Sequence, residues 1–140
     1  MTTAPMVEIG HFDDLLRAAR GMAEPQHLLF VFAAAELPSG ASAQQRADFE
    51  AGVGGELAPL MCVDKVATEL PGFDALVVEA AAAGPPWAIV FSAALSGRGG
   101  MPPTAADIDA AMQHMVDSIK AGRLDGMLPF DRQGLPVQLS

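Results

Sequence analysis

The sequence predicts a single α/β domain: two duplicated helix-strand-helix-strand units sharing a mostly parallel sheet, closed by a C-terminal hairpin. Three observations carry that expectation. Helical stripes and unbroken apolar runs alternate along the chain. The runs lack the in-out alternation of a half-exposed strand, which is the pattern of strands covered on both faces. The order of segments over residues 10–65 then recurs over residues 72–132, as expected when a supersecondary unit that cannot bury its own apolar face is repeated.

The first unit opens with Gly10-His11-Phe12-Asp13, after which Phe12, Leu15, Leu16 and Ala19 form one helical stripe. Its counterpart opens with Gly72-Phe73-Asp74, with Phe73, Leu76, Val77 and Ala80 in the same spacing. A proline-containing loop leads from each helix into an apolar run, residues 28–35 and 87–94, which align on a shared Val-Phe pair. Next come Ser42-Ala43-Gln44-Gln45 and Thr104-Ala105-Ala106-Asp107. In each, a hydroxyl can accept an N–H of the first turn while the side chain three residues on reaches back. The helices so opened stop near Ala51-Gly52 and Ala121-Gly122, the second about two turns longer, with glycine available for a left-handed stop. Short apolar strands over residues 57–65 and 127–132 end on Asp64-Lys65 and Asp131-Arg132. Parallel pairing follows from reading each intervening helix as a crossover. Turn residues between apolar ones place the hairpin at residues 127–139, with Pro136 confined to an edge.

Composition narrows the function classes. The chain has 140 residues, 17 acidic and 8 basic, for a net charge of −9, and the basic residues are dispersed. No electrostatic footprint for nucleic acid or an anionic membrane is present. Residues 80–97 are uncharged, but Gly84-Pro85-Pro86 divides them and the apolar remainder is strand length, so no membrane span is expected. The single cysteine, Cys62, allows no internal disulfide, three scattered histidines match no zinc spacing, and the N-terminus has no secretory pattern. A cytoplasmic location without metal or cofactor is the expectation. Charged residues make up 18% of the chain, below the roughly 25% of soluble domains, which predicts a homo-oligomer covering apolar surface.

The candidate ligand site is the loop Ser96-Gly97-Arg98-Gly99-Gly100 with Thr104 beyond it. A strand feeding glycines and a helix N-terminus can hold an anion through free N–H groups, and Arg98 adds a planar fork of donors. The loop lacks the ending of a P-loop and the spacing of a dinucleotide fingerprint, and Pro102 and Pro103 subtract donors. In a parallel sheet Glu36, Asp64, Lys65 and Arg98 would gather at the carboxyl ends of the strands, where open α/β sheets bind ligands. Cys62, between Met61 and Val63, reads as a core residue, and His114 falls opposite the apolar stripe Ile108, Met112, Met115, Ile119. Ser92, His114 and Asp117 have the residue types of a hydrolytic triad, but no spacing unites them. With no nucleophile beside a base, the expectation is a non-catalytic binding or regulatory module. The alternatives are an enzyme or binder of a small anionic metabolite at residues 97–100, and a protein-protein adaptor.

In LLFVF, PLMCVDK, WAIVFSAALSGRGG and LPFDRQG, and over nearly its whole length, the chain resembles a family of small proteobacterial proteins of unknown function. Members are often labelled ribonucleotide reductase alpha subunit. That label implies radical chemistry on a cysteine pair and a further cysteine in a large barrel, which one cysteine in 140 residues does not supply. The resemblance therefore implies a family and no reaction.

Overall fold

The computed structural model describes residues 9–37, 40–51 and 56–138. In chain order the elements are α1 (Phe12–Arg20), β1 (Gln26–Glu36), α2 (Ala43–Glu50), β2 (Glu56–Val66), α3 (Phe73–Ala83), β3 (Ile89–Ser96), α4 (Ala105–Lys120) and β4 (Leu128–Phe130). The four strands form one sheet in the order β2-β1-β3-β4, and every neighbouring pair is antiparallel. α1 and α3 bury Phe12, Leu16, Phe73 and Leu76 on one face against Leu28, Phe30, Phe32 and Val90. α4 buries Met115 and Ile119 on the other, against Leu29, Val31 and Phe91.

The expected parallel sheet is thus replaced by an antiparallel one. The apolar run of β1 reports coverage from both sides, and an antiparallel central strand between helical layers has that pattern as well. α2 is no crossover: its eight residues include none that is buried, and the chain returns from it to the strand beside β1. A crossover does exist at α3, which joins β2 to β3. These two strands run in the same direction, with β1 inserted between them.

Three smaller expectations change too. The match of Val31-Phe32 with Val90-Phe91 is one residue out of register, because Phe32 faces α1 and α3 whereas Phe91 faces α4; a one-residue slip turns every side chain to the opposite face. The C-terminal hairpin reduces to β4 and one bridge, Phe130 to Pro136, since the chain turns tightly at residues 131–135. Cys62 is exposed, on β2 at the edge of the sheet. The expected stop at Gly52, and the end of the hairpin at residue 139, lie outside the described residues.

The first turn of α1 joins distant parts of the chain. Its leading N–H, on Phe12, donates to Gly134 O at 2.7 Å. Asp13 Oδ1 accepts from Phe73 N at 2.9 Å, serving α3 at a position where Gly72 has no side chain to cap with. Nδ1 of His11 accepts from Asp13 N while Nε2 contacts Gln133 O at 3.0 Å. At the other end of α1, Arg20 donates to the carbonyls of Ala67 and Leu70.

Asp14 accepts from Gly10 N and His11 N and pairs with Arg17 at 3.0 Å; these contacts, that of Gly10 foremost, hold its carboxyl below the ordinary 3.8. A depressed folded-state pKa contributes stability that is complete above about pH 5 and lost as pH falls through the folded value. Asp14→Asn is therefore expected to flatten the fall of Tm below about pH 4, which thermal melts across that range measure. An acid limb as steep as the parent's would show that other carboxylates control it.

Ser92 lies opposite Phe30 on the α1 face, fully buried, with no hydrogen-bond partner for its hydroxyl among the described residues. An orphaned buried hydroxyl costs about 1–3 kcal/mol of desolvation. Ser92→Ala is expected to leave Tm unchanged or raise it by about 2–4 °C. A fall of more than about 3 °C in calorimetry would mean that the hydroxyl has a partner in solution.

Candidate functional site

The glycine loop is a tight turn. Arg98 and Met101 exchange two main-chain bonds of 2.9 Å around Gly99 (φ 58°) and Gly100 (φ 80°). Left-handed conformation at both central residues is the two-residue turn whose twist suits a β-hairpin, and it selects Gly-Gly. Gly97 is needed for a different reason, close approach: a Cβ there would lie 1.9 Å from Met101 O.

Most of the N–H groups available for an anion are engaged inside the protein. Gly97 N donates to Pro25 O at 2.8 Å and Gly100 N to the carboxylate of Glu24 at 2.8 Å. Thr104 N and Asp107 N are exchanged within the capping box that opens α4, at 3.3 and 3.1 Å. Arg98 differs: its guanidinium is exposed and makes no ion pair or side-chain hydrogen bond among the described residues.

Antiparallel topology separates the residues that a parallel sheet would have gathered. Gly97, Arg98, Gly99, Gly100 and Thr104 lie beyond the end of β3. Asp64 and Lys65 share that end of the sheet but sit on β2, across β1. Asp64 meets His27 Nε2 at 2.6 Å on the α4 face, and Lys65 pairs with Glu79 of α3 at 2.7 Å. Glu36 is at the opposite end, where with Glu56 and Lys120 it lines an open hollow. Arg132 is at that end too, 5.7 Å over the ring of Trp87. Ser92 and His114 are on opposite sides of the sheet. Partial burial pushes the Cys62 thiol pKa up, away from reactivity.

What the fold builds at the loop is a groove. α4 packs onto β1 and β2 and stands off the outer end of β3. One cleft of about 410 Å³ is lined by Leu95, Gly97, Arg98, Met101, Thr104 and Asp107. A second, of about 190 Å³, adjoins it at Leu95 and is bounded by Ala93, Ala111, His114, Met115 and Met127. Of this lining, sequence reading singles out residues 96–98, 102, 103 and Thr104, and not the walls of the groove. The signal was present in the small flank of α4, where Ala110, Ala111 and Ser118 border its apolar stripe and cannot fill the space beside β3. Among the described residues no three His, Cys, Asp or Glu could together hold a metal ion, and no helix is long and apolar enough to cross a membrane. Comparison with protein families, curated proteins and solved structures finds no match to this chain.

The two kinds of glycine are separable by mutation. Gly97→Ala is expected to destabilise the protein by about 2 kcal/mol or more through its clash with the Met101 carbonyl. Gly99→Asn, suited to a left-handed turn, is expected to change Tm by less than about 2 °C. Equal losses in thermal melts would contradict the turn.

Proposed function

We propose that this protein is a non-catalytic binding module whose ligand lies in the groove between α4 and β3. The observation that carries the reading is the pair of adjoining clefts at Leu95, apolar at one end and carrying an unpaired guanidinium at the other. Ligand sites combine apolar walls with a few convergent polar groups in this way. A small anionic metabolite is the second reading, favoured by Arg98 in a chain of net charge −9. Its affinity would rest mainly on that side chain, because the neighbouring N–H groups are engaged. Self-association belongs to the proposal as well: Met101 at the groove and Leu128 at the start of β4 are large, apolar and exposed.

Amide NMR of the full chain titrated with phosphate, succinate, AMP and a set of aromatic fragments tests the groove. Bound probes are expected to shift amides over residues 93–107 and 111–118. Ala110→Trp, which fills the groove from an exposed helix position, is expected to remove those shifts. Shifts clustered around His27 and Asp64, or unaffected by Ala110→Trp, would place the site elsewhere.

A further inference from the structure

We infer that the groove takes an extended segment of a partner polypeptide, which adds to the free edge of β3 as a strand and sets a carboxylate against Arg98. The inference rests on the groove being the binding surface and goes further by naming the ligand.

Sheet edges with unpaired main-chain groups invite another strand, and proteins block them with proline, bulges, charge or covering chain. β2 has Pro59, a register shift opposite Phe32/Ala33, and Glu56, Asp64 and Lys65. β4 is covered on its outer side by the returning chain, where Val137 N donates to Pro129 O at 3.0 Å and Asp131 N to Leu135 O at 2.9 Å. β3 is different. β4 pairs only with Val90, Phe91 and Ser92, so residues 93–96 have no strand on that side.

The direction of their main-chain groups follows from alternation in an antiparallel ladder. Gly97 N donates to Pro25 O, so the odd-numbered residues of β3 turn their N–H and C=O toward β1. Pro129, opposite Phe91, has no N–H and turns its carbonyl to Val137, so Val90 and Ser92 are the residues that bond to β4. By the same parity Ala94 and Ser96 turn their N–H and C=O outward. Both residues are exposed, and neither main chain has a partner outside the ladder among the described residues. The free edge therefore offers two donors and two acceptors in line with β4.

A strand added there would send alternate side chains toward α4, into the cleft bounded by Leu95, Ala111 and Met115 and walled by Asp125, Gly126 and Met127 of the chain that leads into β4. Arg98 is at the end of the same edge. Two carboxylates at the loop, of Glu24 and Asp107, accept from Gly100 N and Thr104 N and form no ion pair with Arg98. An incoming carboxylate thus meets a guanidinium that has no counter-ion, as a C-terminus or as an Asp or Glu side chain. A free anion would find only that one group, whereas a strand gains the edge bonds too.

Selection of random decapeptides, displayed with free C-termini, against the full chain tests this. Selected peptides are then synthesised as acid, as C-terminal amide, and with Asp and Glu replaced by Asn and Gln. Binding is expected to slow hydrogen exchange at Ala94 and Ser96 and to weaken about tenfold or more in Arg98→Ala. Whichever peptide change costs the same factor identifies the source of the carboxylate. Ala94→Pro removes one outward N–H without touching the ladder to β1 and is expected to weaken binding comparably. Ala111→Trp, which fills the apolar cleft, serves as the second variant if Ala94→Pro does not fold. Protection on the outer edge of β2, or affinity unchanged in the variants that fold, would overturn the inference. So would protection of Ala94 and Ser96 in the protein alone, together with a dimer in sedimentation, since the occupant would then be a second copy. Anion or fragment shifts in the groove with no peptide selected would reject the peptide and leave the groove reading intact. Neither peptide nor probe binding there would reject both.

Discussion

The α1 side of the protein depends on Phe12. Its ring is fully buried, with centroids 5.6 Å from Phe30 of β1, 5.0 Å from Phe73 of α3 and 5.4 Å from Phe130 of β4. One side chain thus touches an aromatic from the central strand, the crossover helix and the last strand. Tilted and edge-to-face contacts of this kind fix orientation as well as burying area. The backbone repeats the arrangement, since Phe12 N is held by Gly134 and the adjacent Asp13 holds Phe73 N. Gly134, at φ 82°, permits the approach: a Cβ there would come 2.6 Å from the His11 ring. With α1 and α3 anchored to the sheet in this way, the ladder between β1 and β3 is fixed, and with it the unpaired end of β3 on which the groove stands.

The elements themselves were largely legible. Ser42 and Thr104 form the capping boxes their spacing suggested, and Gly122 takes the left-handed stop after α4. Phe12, Leu16 and Ala19 face the core as a stripe should. Strand direction was not legible, because Leu28 to Ala33 would read the same in either orientation once both faces are covered. An apolar face on the intervening helix does not decide direction, since α4 lies on the sheet through Met115 and Ile119 and β4 still returns antiparallel beside β3. The difference is legible only between α2 and α3: α3 has such a face, in Phe73, Leu76 and Ala80, whereas α2 buries nothing and β2 folds back beside β1.

The candidate site was legible at its loop and illegible at its walls. Gly97 to Gly100 stand out in any sequence, but their chemistry is a hairpin turn with its donors turned inward. Asp64, Lys65 and Glu36 were grouped only by the assumption of parallel strands, and they scatter when β2 and β1 run in opposite directions. The groove is a negative feature, defined by where α4 fails to reach β3. It appears in sequence merely as alanines at positions 110 and 111, which an apolar count records as ordinary helix.

The clasp between α1 and the turn at Gly134 also sets an order on folding during synthesis. A chain emerging from the ribosome presents α1 and β1 first. The ring that completes the environment of Phe12 arrives with Phe130, more than a hundred residues later. Until then the apolar side of α1 has no finished site to enter, and the early half of the chain carries exposed phenylalanine and leucine. Closing so distant a contact is slow relative to local helix formation. The nascent protein therefore passes through a stage in which its own core does not yet cover its first helix.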